Sequence, residues 1–296
     1  MAQTLLAILL VLVCTHALPD LDRVRDFSWL RGILRRWTQA GGDPARPRFA
    51  AALLPLLVFA ACALLDLVLG HVLFGLPAFA FGVGVLFWSW GPRDLETDIE
   101  AVLKAPDSER RHAAAQALRP DPALAALPFE PAALIEATFA SALSRWFGVL
   151  FWFVVLGPAG ALAYRVVQLL GRHASFAADM DAGQRRLLER TALVLDWAPA
   201  HLVAMALALV SDFDAVIRTW RAYHAAHGRG YFTLDLGFLG ALARSGVDAD
   251  VVAGDGYAGD VADPLLELAD ARTVLRRILV VWLAVVALLA LADLAR

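Results

Sequence analysis

From Trp146 to Leu170 the only ionisable side chains are the Tyr164 phenol and Arg165. At about 1.5 Å of rise per residue, a helix over this run is long enough to cross the roughly 30 Å of hydrocarbon in a bilayer. Arg145 stands at its entrance and Gly157-Pro158 in its middle. A proline inside a helix has no amide hydrogen to give, so the helix should kink and release a carbonyl about one turn earlier. In hydrocarbon that carbonyl must find a partner within the protein. Gly148, Gly157, Gly160 and Ala161 would let neighbouring helices approach closely. A mere anchor has little use for a kink, a small-residue face and a Tyr164-Arg165 pair. The run therefore reads as the packed centre of a polytopic protein.

Composition places the chain in the same class. Hydrophobic residues make up 60% and charged residues 19% of its 296 positions, against roughly half and a quarter in soluble domains. That length accommodates one integral domain, over 1–296, and no separate large catalytic domain. A formal net charge of −3 excludes the basic footprint of a nucleic-acid binder. Cys14 and Cys62 both lie in apolar runs and give no disulfide framework.

The expected fold is all-α: a polytopic integral membrane bundle with about five or six apolar helices, one of them broken, and amphipathic cytoplasmic loops. The apolar stretches are residues 2–18, which lack the basic region of a signal peptide and read as a retained first span although Thr15-His16-Ala17 loosely resembles a cleavage site; 49–90, long enough for a hairpin that turns at 70–77; the central run; 193–210; and 272–294. Polar regions fill 19–48, 91–133 and 211–271. In the first of these, Phe27, Trp29, Leu30, Ile33, Leu34 and Trp37 are spaced as the apolar face of an arginine-rich helix lying in the headgroup region. In the second, Leu95, Ile99, Val102 and Leu103 share one helical face, and Pro106-Asp107-Ser108 starts another helix. Pro131 takes a first helical position, with Glu136 toward the membrane surface. If 49–90 is a hairpin, arginine bias puts 18–48 and 93–145 together in the cytoplasm. If 193–210 also crosses, 211–277 joins them and only 171–190 is left outside, whereas without that crossing a long basic segment lies outside, which the rule disfavours.

Charges within or beside apolar runs mark a candidate polar centre of Glu136, Arg145, Tyr164, Arg165, Asp196 and Asp66. Asp196-Trp197-Ala198-Pro199 has the form of a helix N-terminus, with Asp196 as cap and Pro199 in the first turn, which would break the 193–210 helix. Gly157, Pro158, Trp197 and Pro199 are the structural positions of this arrangement. Arg145 and Arg165 stand about 30 Å apart on a straight helix, so Asp196 can partner only one of them. The expected pair is Asp196 with Arg165, with Asp66 as the rival at that end and Glu136 near Arg145 at the other. Asp66 reads otherwise as an interfacial group reaching water. His224 and His227 have no third residue at metal-ligand spacing and read as an exposed helix face. The glycines at 254, 256 and 259 match G-x-G-x-x-G by letter, but an acidic, proline-stopped segment follows and no binding helix opens. There is no P-loop lysine, nucleophile elbow or HExxH pattern. No catalytic residue or metal ligand is assigned, and no cofactor is identified.

The string RWFGVLFWFVVLGPAGALAYR from Arg145 to Arg165, followed by LDWAPAHL from Leu195 to Leu202, resembles the AmpE family of bacterial inner-membrane proteins. The resemblance extends over nearly the whole chain in the order of apolar segments. It implies a multi-pass accessory or sensor protein associated with beta-lactamase induction and cell-wall damage. Its partners would be membrane lipids and a cell-wall-recycling ligand or protein. AmpE proteins in turn are similar to the CobD/CbiB cobalamin-biosynthesis proteins, which implies, as the alternative, a membrane enzyme joining aminopropanol to a corrinoid acid. In that second pattern an Asn and an Asp-Gly pair precede the central Phe-Trp, and Asn-Thr-Leu-Asp follows the Tyr-Arg. Here Ala142, Ser144 and Arg145 stand before it, and Val166, Val167, Gln168 and Leu169 follow.

Overall fold

The computed structural model describes residues 2–17, 27–39, 50–72, 75–91, 93–120, 125–173, 176, 179–226, 228, 230, 233–255 and 263–295. Among them the regular elements are helices: α1 (Ala2–Ala17), α2 (Ser28–Gln39), α3 (Ala50–Gly70), α4 (Leu76–Ser89), α5 (Leu95–Leu103), α6 (Ser108–Ala115), α7 (Pro131–Ala142), α8 (Gly148–Arg172), α9 (Ala182–Val210), α10 (Phe213–Ala226), α11 (Gly237–Asp255) and α12 (Pro264–Leu294). A π turn, Leu143–Phe147, joins α7 to α8. Four stretches are long and apolar enough to cross a membrane: Ala51–Gly70, Pro131–Arg172, Ala182–Val210 and Pro264–Leu294; two shorter apolar helices cover Ala2–Thr15 and Leu76–Ser89. The protein is thus an all-α membrane protein. Leu56, Leu67, Leu209 and Leu288 are each more than 60% exposed, as lipid-facing residues should be. The chain divides into two compact units, Met1–Asp94 with Gly148–Leu195 and Val286–Arg296, and Leu95–Phe147 with Asp196–Val285.

In the first unit α8 is not a rod. Gly157 has φ 68° and ψ −159°, a conformation open essentially to glycine alone. The chain reverses there. A methyl group added at Gly148 would run into the Tyr164 ring, and one at Gly160 would stand 2.5 Å from both Leu156 Cβ and the Trp152 carbonyl oxygen. Positions 148 and 164 would be about 24 Å apart on a straight helix, so 148–156 and 158–172 are two antiparallel arms. This corrects the expectation of a single crossing helix. Proline bars its predecessor from helical geometry, and because that predecessor is glycine the kink becomes a reversal. The small residues correspondingly serve the fold-back: Gly148 and Gly160 bring the two arms together, and Gly157 supplies the turn.

One end of this unit gathers several segments. Phe27, just before α2, and Leu30 and Leu34 of α2 cluster with Ala51 and Leu54 of α3, with Val166 and Leu170 of the returning arm, and with Leu188 of α9. Trp88, at the end of α4, stacks on Phe27 and Trp29 with ring centroids 4.4 and 5.5 Å away. Arg31 and Arg35 donate through Nε to Asp179 at 3.2 and 2.9 Å. The arginine-rich helix and the 171–190 connection therefore share one end, and the expectation that they lie on opposite faces is corrected. The fold-back removes the crossing that would have separated them.

Burial pushes the Asp179 carboxyl up, but the hydrogen bonds and charges of Arg35 and Arg31 outweigh it and hold the group below its ordinary value. Such a carboxylate adds stability that is present above the unfolded-state value, about 3.9, and is lost as pH falls through the lower folded-state value. Spin labels at Gly32→Cys and Ala182→Cys, with Cys14 and Cys62 changed to alanine, should keep a narrow distance distribution down to about pH 5 and broaden below about pH 4. Broadening that begins near neutral pH would contradict this account of the contact.

The expected break at Asp196–Pro199 is also corrected, because α9 runs unbroken from Ala182 to Val210 with Pro199 inside it. Proline leaves the Leu195 carbonyl without its helical donor. The indole of Trp152 supplies one, Nε1 donating to Leu195 O at 3.1 Å. Asp196, fully buried in mid-helix, is therefore not an N-terminal cap. The broken apolar helix that the sequence predicts lies at Gly157 instead.

In the second unit Leu95, Ile99 and Val102 are fully buried, and the Asp107 carboxylate caps α6 by accepting from Arg110 N at 2.7 Å. Pro131 opens α7 as expected, while α12 begins at Pro264, ahead of the expected 272. α11 packs against both α7 and α10. His224 is buried, not part of an exposed face. His227 and the stretch 256–259 of the glycine pattern lie outside the described residues. Gly254 and Asp255 end α11 instead of opening a helix.

Candidate functional site

Sequence spacing puts Asp98 on the same face of α5 as Leu95, Ile99 and Val102, so a carboxylate enters the core with the apolar stripe. Its side chain has no exposed surface, and a buried charge demands a partner. The π turn provides it. A π turn is wider than an α turn and re-aims side chains; here it carries Arg145, whose Nη1 donates to Asp98 Oδ2 at 2.6 Å and whose Nη2 donates to Ala117 O at 2.7 Å. Two serines line the same segment. Ser141 Oγ donates to Leu118 O at 2.6 Å and Ser144 Oγ to Ser141 O at 3.2 Å. Glu96, two positions before Asp98, accepts from both Arg272 and Arg276 of α12.

Glu136 is not beside Arg145. It is half exposed on α7 and pairs with Arg244 of α11 at 3.0 Å, its stem resting on Gly240. The expectation of a Glu136–Arg145 end is thereby corrected: Asp98, an acidic residue on an apolar stripe, holds Arg145. That misplaced charge was the available signal in the sequence.

A second feature of this unit is an aromatic and histidine cluster. Trp197 and His201 come from α9, Trp220 and His224 from α10, and Phe238 from α11. The Trp220 and Phe238 rings are parallel within 2° at 5.7 Å, and His201 lies 4.9 Å from Phe238 and 4.3 Å from Trp197. His201 Nδ1 contacts Trp197 O at 2.7 Å; since a carbonyl only accepts, Nδ1 carries the proton. Trp220 Nε1 donates to His224 Nε2 at 3.0 Å. Trp197, read from sequence as structural, thus builds a packed cluster that the spacing of the histidines alone did not reveal.

In the first unit Tyr164 is 1% exposed, beneath Gly148, and Arg165 is 3% exposed, its Nε donating to Ser89 O at 2.6 Å. Asp66 does not serve as the rival partner of Arg165: it is partly exposed on α3 and makes no hydrogen bond or ion pair with a described residue. Gly157 and Pro158 form the reversal, and Pro158 packs against Gly82 of α4. Among the described residues no group of three or more His, Cys, Asp or Glu side chains is placed to hold a metal ion. Comparison of the chain with protein-family models, with curated proteins and with solved structures yields no match.

Proposed function

We propose that this protein is a multi-pass accessory or sensor protein of the bacterial inner membrane, resembling AmpE and acting in beta-lactamase induction and the response to cell-wall damage. One observation supports this over amide-forming catalysis. The charges that a CobD-like pocket would need are spent on structure: Arg145 is held by Asp98 and Ala117 O, while Glu136 is drawn to Arg244 at a half-exposed site. Charges fixed in such pairs hold helices together and are poorly placed to bind a phosphorylated or corrinoid substrate.

Deletion of the gene from its host should lower induction of a beta-lactamase reporter by a sub-inhibitory beta-lactam, with growth in the absence of drug unchanged. Unaltered induction would count against the sensor reading. Amide formation by the purified protein from a corrinoid acid and aminopropanol, with a nucleoside triphosphate supplied to activate the carboxyl group and released as the diphosphate and phosphate, would replace it with the enzyme.

A further inference from the structure

We propose that the first unit holds a discrete lipid site, a lateral groove between α3, the α8 fold-back and the start of α9 that takes one acyl chain of a membrane phospholipid. The cavity measures about 410 Å³. Buried Pro55, Gly160, Tyr164, Val167 and Leu188 form its floor. Its mouth lies between Leu56 and Leu156, which line it and are 63% and 47% exposed. Since α3 and α9 both have the length and apolarity of membrane spans, that mouth opens onto hydrocarbon.

The chemistry of the wall selects the occupant. Its polar groups are satisfied internally, Trp152 Nε1 donating to Leu195 O at 3.1 Å and Thr191 Oγ1 to Leu187 O at 2.9 Å. The wall then offers dispersion contacts and no spare hydrogen bond, which favours an alkyl chain over a polar ligand. Gly160 cannot carry a side chain against the Trp152 carbonyl, so position 160 contributes no side chain to the hollow it lines. Arg186 and Arg190 are exposed, in no ion pair with a described residue, and within one turn of Leu187 on α9. They stand where the phosphate of a lipid whose chain enters the groove would lie.

The test uses the full chain in proteoliposomes containing phosphatidylglycerol with a diazirine on one acyl chain. Photolysis should place adducts at Leu56, Leu156 and Thr191 about tenfold above those at Leu64, an exposed α3 leucine outside the groove. Filling the groove with Ala163→Trp should remove that excess and leave Leu64 labelling unchanged. Ala52→Leu serves the same purpose should the tryptophan variant fail to fold by circular dichroism. Equal labelling at Leu64 and the groove, or an excess that persists in the folded filled variant, would mean only surface lipid and overturn the site.

Discussion

Alanine at position 148 should strongly destabilise the protein, and shortening Tyr164 should recover much of the loss. The added methyl group collides with a tyrosine that is 1% exposed and has no room to retreat; overpacking of this kind costs about 1–3 kcal/mol. Tyr164→Leu alone loses packing and the hydroxyl, but in the Gly148→Ala background it makes space. Unfolding in mixed dodecylmaltoside–SDS micelles should therefore give a coupling of about 0.5–3 kcal/mol between the two sites. On a straight helix the positions would be about 24 Å apart and their effects would add. The cycle thus separates the fold-back from the rod that hydropathy alone describes.

A second large effect is expected at the buried ion pair. Asp98→Ala leaves the Arg145 guanidinium, whose side chain is 13% exposed, without its carboxylate, and breaking a buried pair this way costs about 3–5 kcal/mol. Arg145→Ala should cost a similar amount. Replacing both together, as Asp98→Leu with Arg145→Met, should be tolerated far better, because no charge remains stranded in the core. Glu136→Ala provides the contrast. Its pair with Arg244 is half exposed on both sides, and such surface pairs contribute about 0–1 kcal/mol. If Asp98→Ala and Glu136→Ala had equal small effects in the same micelle assay, the placement of Arg145 described here would be wrong.

Much of the fold was legible because a bilayer tolerates little but apolar helices. Length and apolarity marked the hairpin of α3 and α4, the central run and the final span, and local chemistry marked Pro131 and Asp107 as helix starts. What hydropathy could not read was direction. A Gly-Pro pair in an apolar run has the same composition whether the helix kinks or reverses, and the positive φ of Gly157 decides between them. The Asp196–Pro199 reading failed for a related reason. Local capping preference favoured a helix start, but a tertiary donor, Trp152, satisfies the carbonyl that Pro199 frees, so the helix continues. The candidate site was legible in its arginines and less so in their partners. The place of Arg145 before the central run marks it out, whereas Asp98 lies within a loop helix and only its position on the apolar stripe distinguishes it. Metal-ligand spacing says nothing of the burial of His224, which comes from packing against Trp220 and Phe238, a contact that sequence separation does not show.

The most direct test of the fold-back account is the sidedness of two positions in sealed, oriented membrane vesicles. Single cysteines at Gly32, on the arginine-rich α2, and at Ala182, at the start of α9, would be introduced in the Cys14→Ala, Cys62→Ala background and treated with a membrane-impermeant maleimide. Gly32 has open space around it and Ala182 is exposed, so each can be labelled without disturbing packing. The contact of Arg31 and Arg35 with Asp179 requires both cysteines to react from the same side. Labelling of Gly32 and Ala182 from opposite sides would contradict it, and with it the reversal of the central run at Gly157.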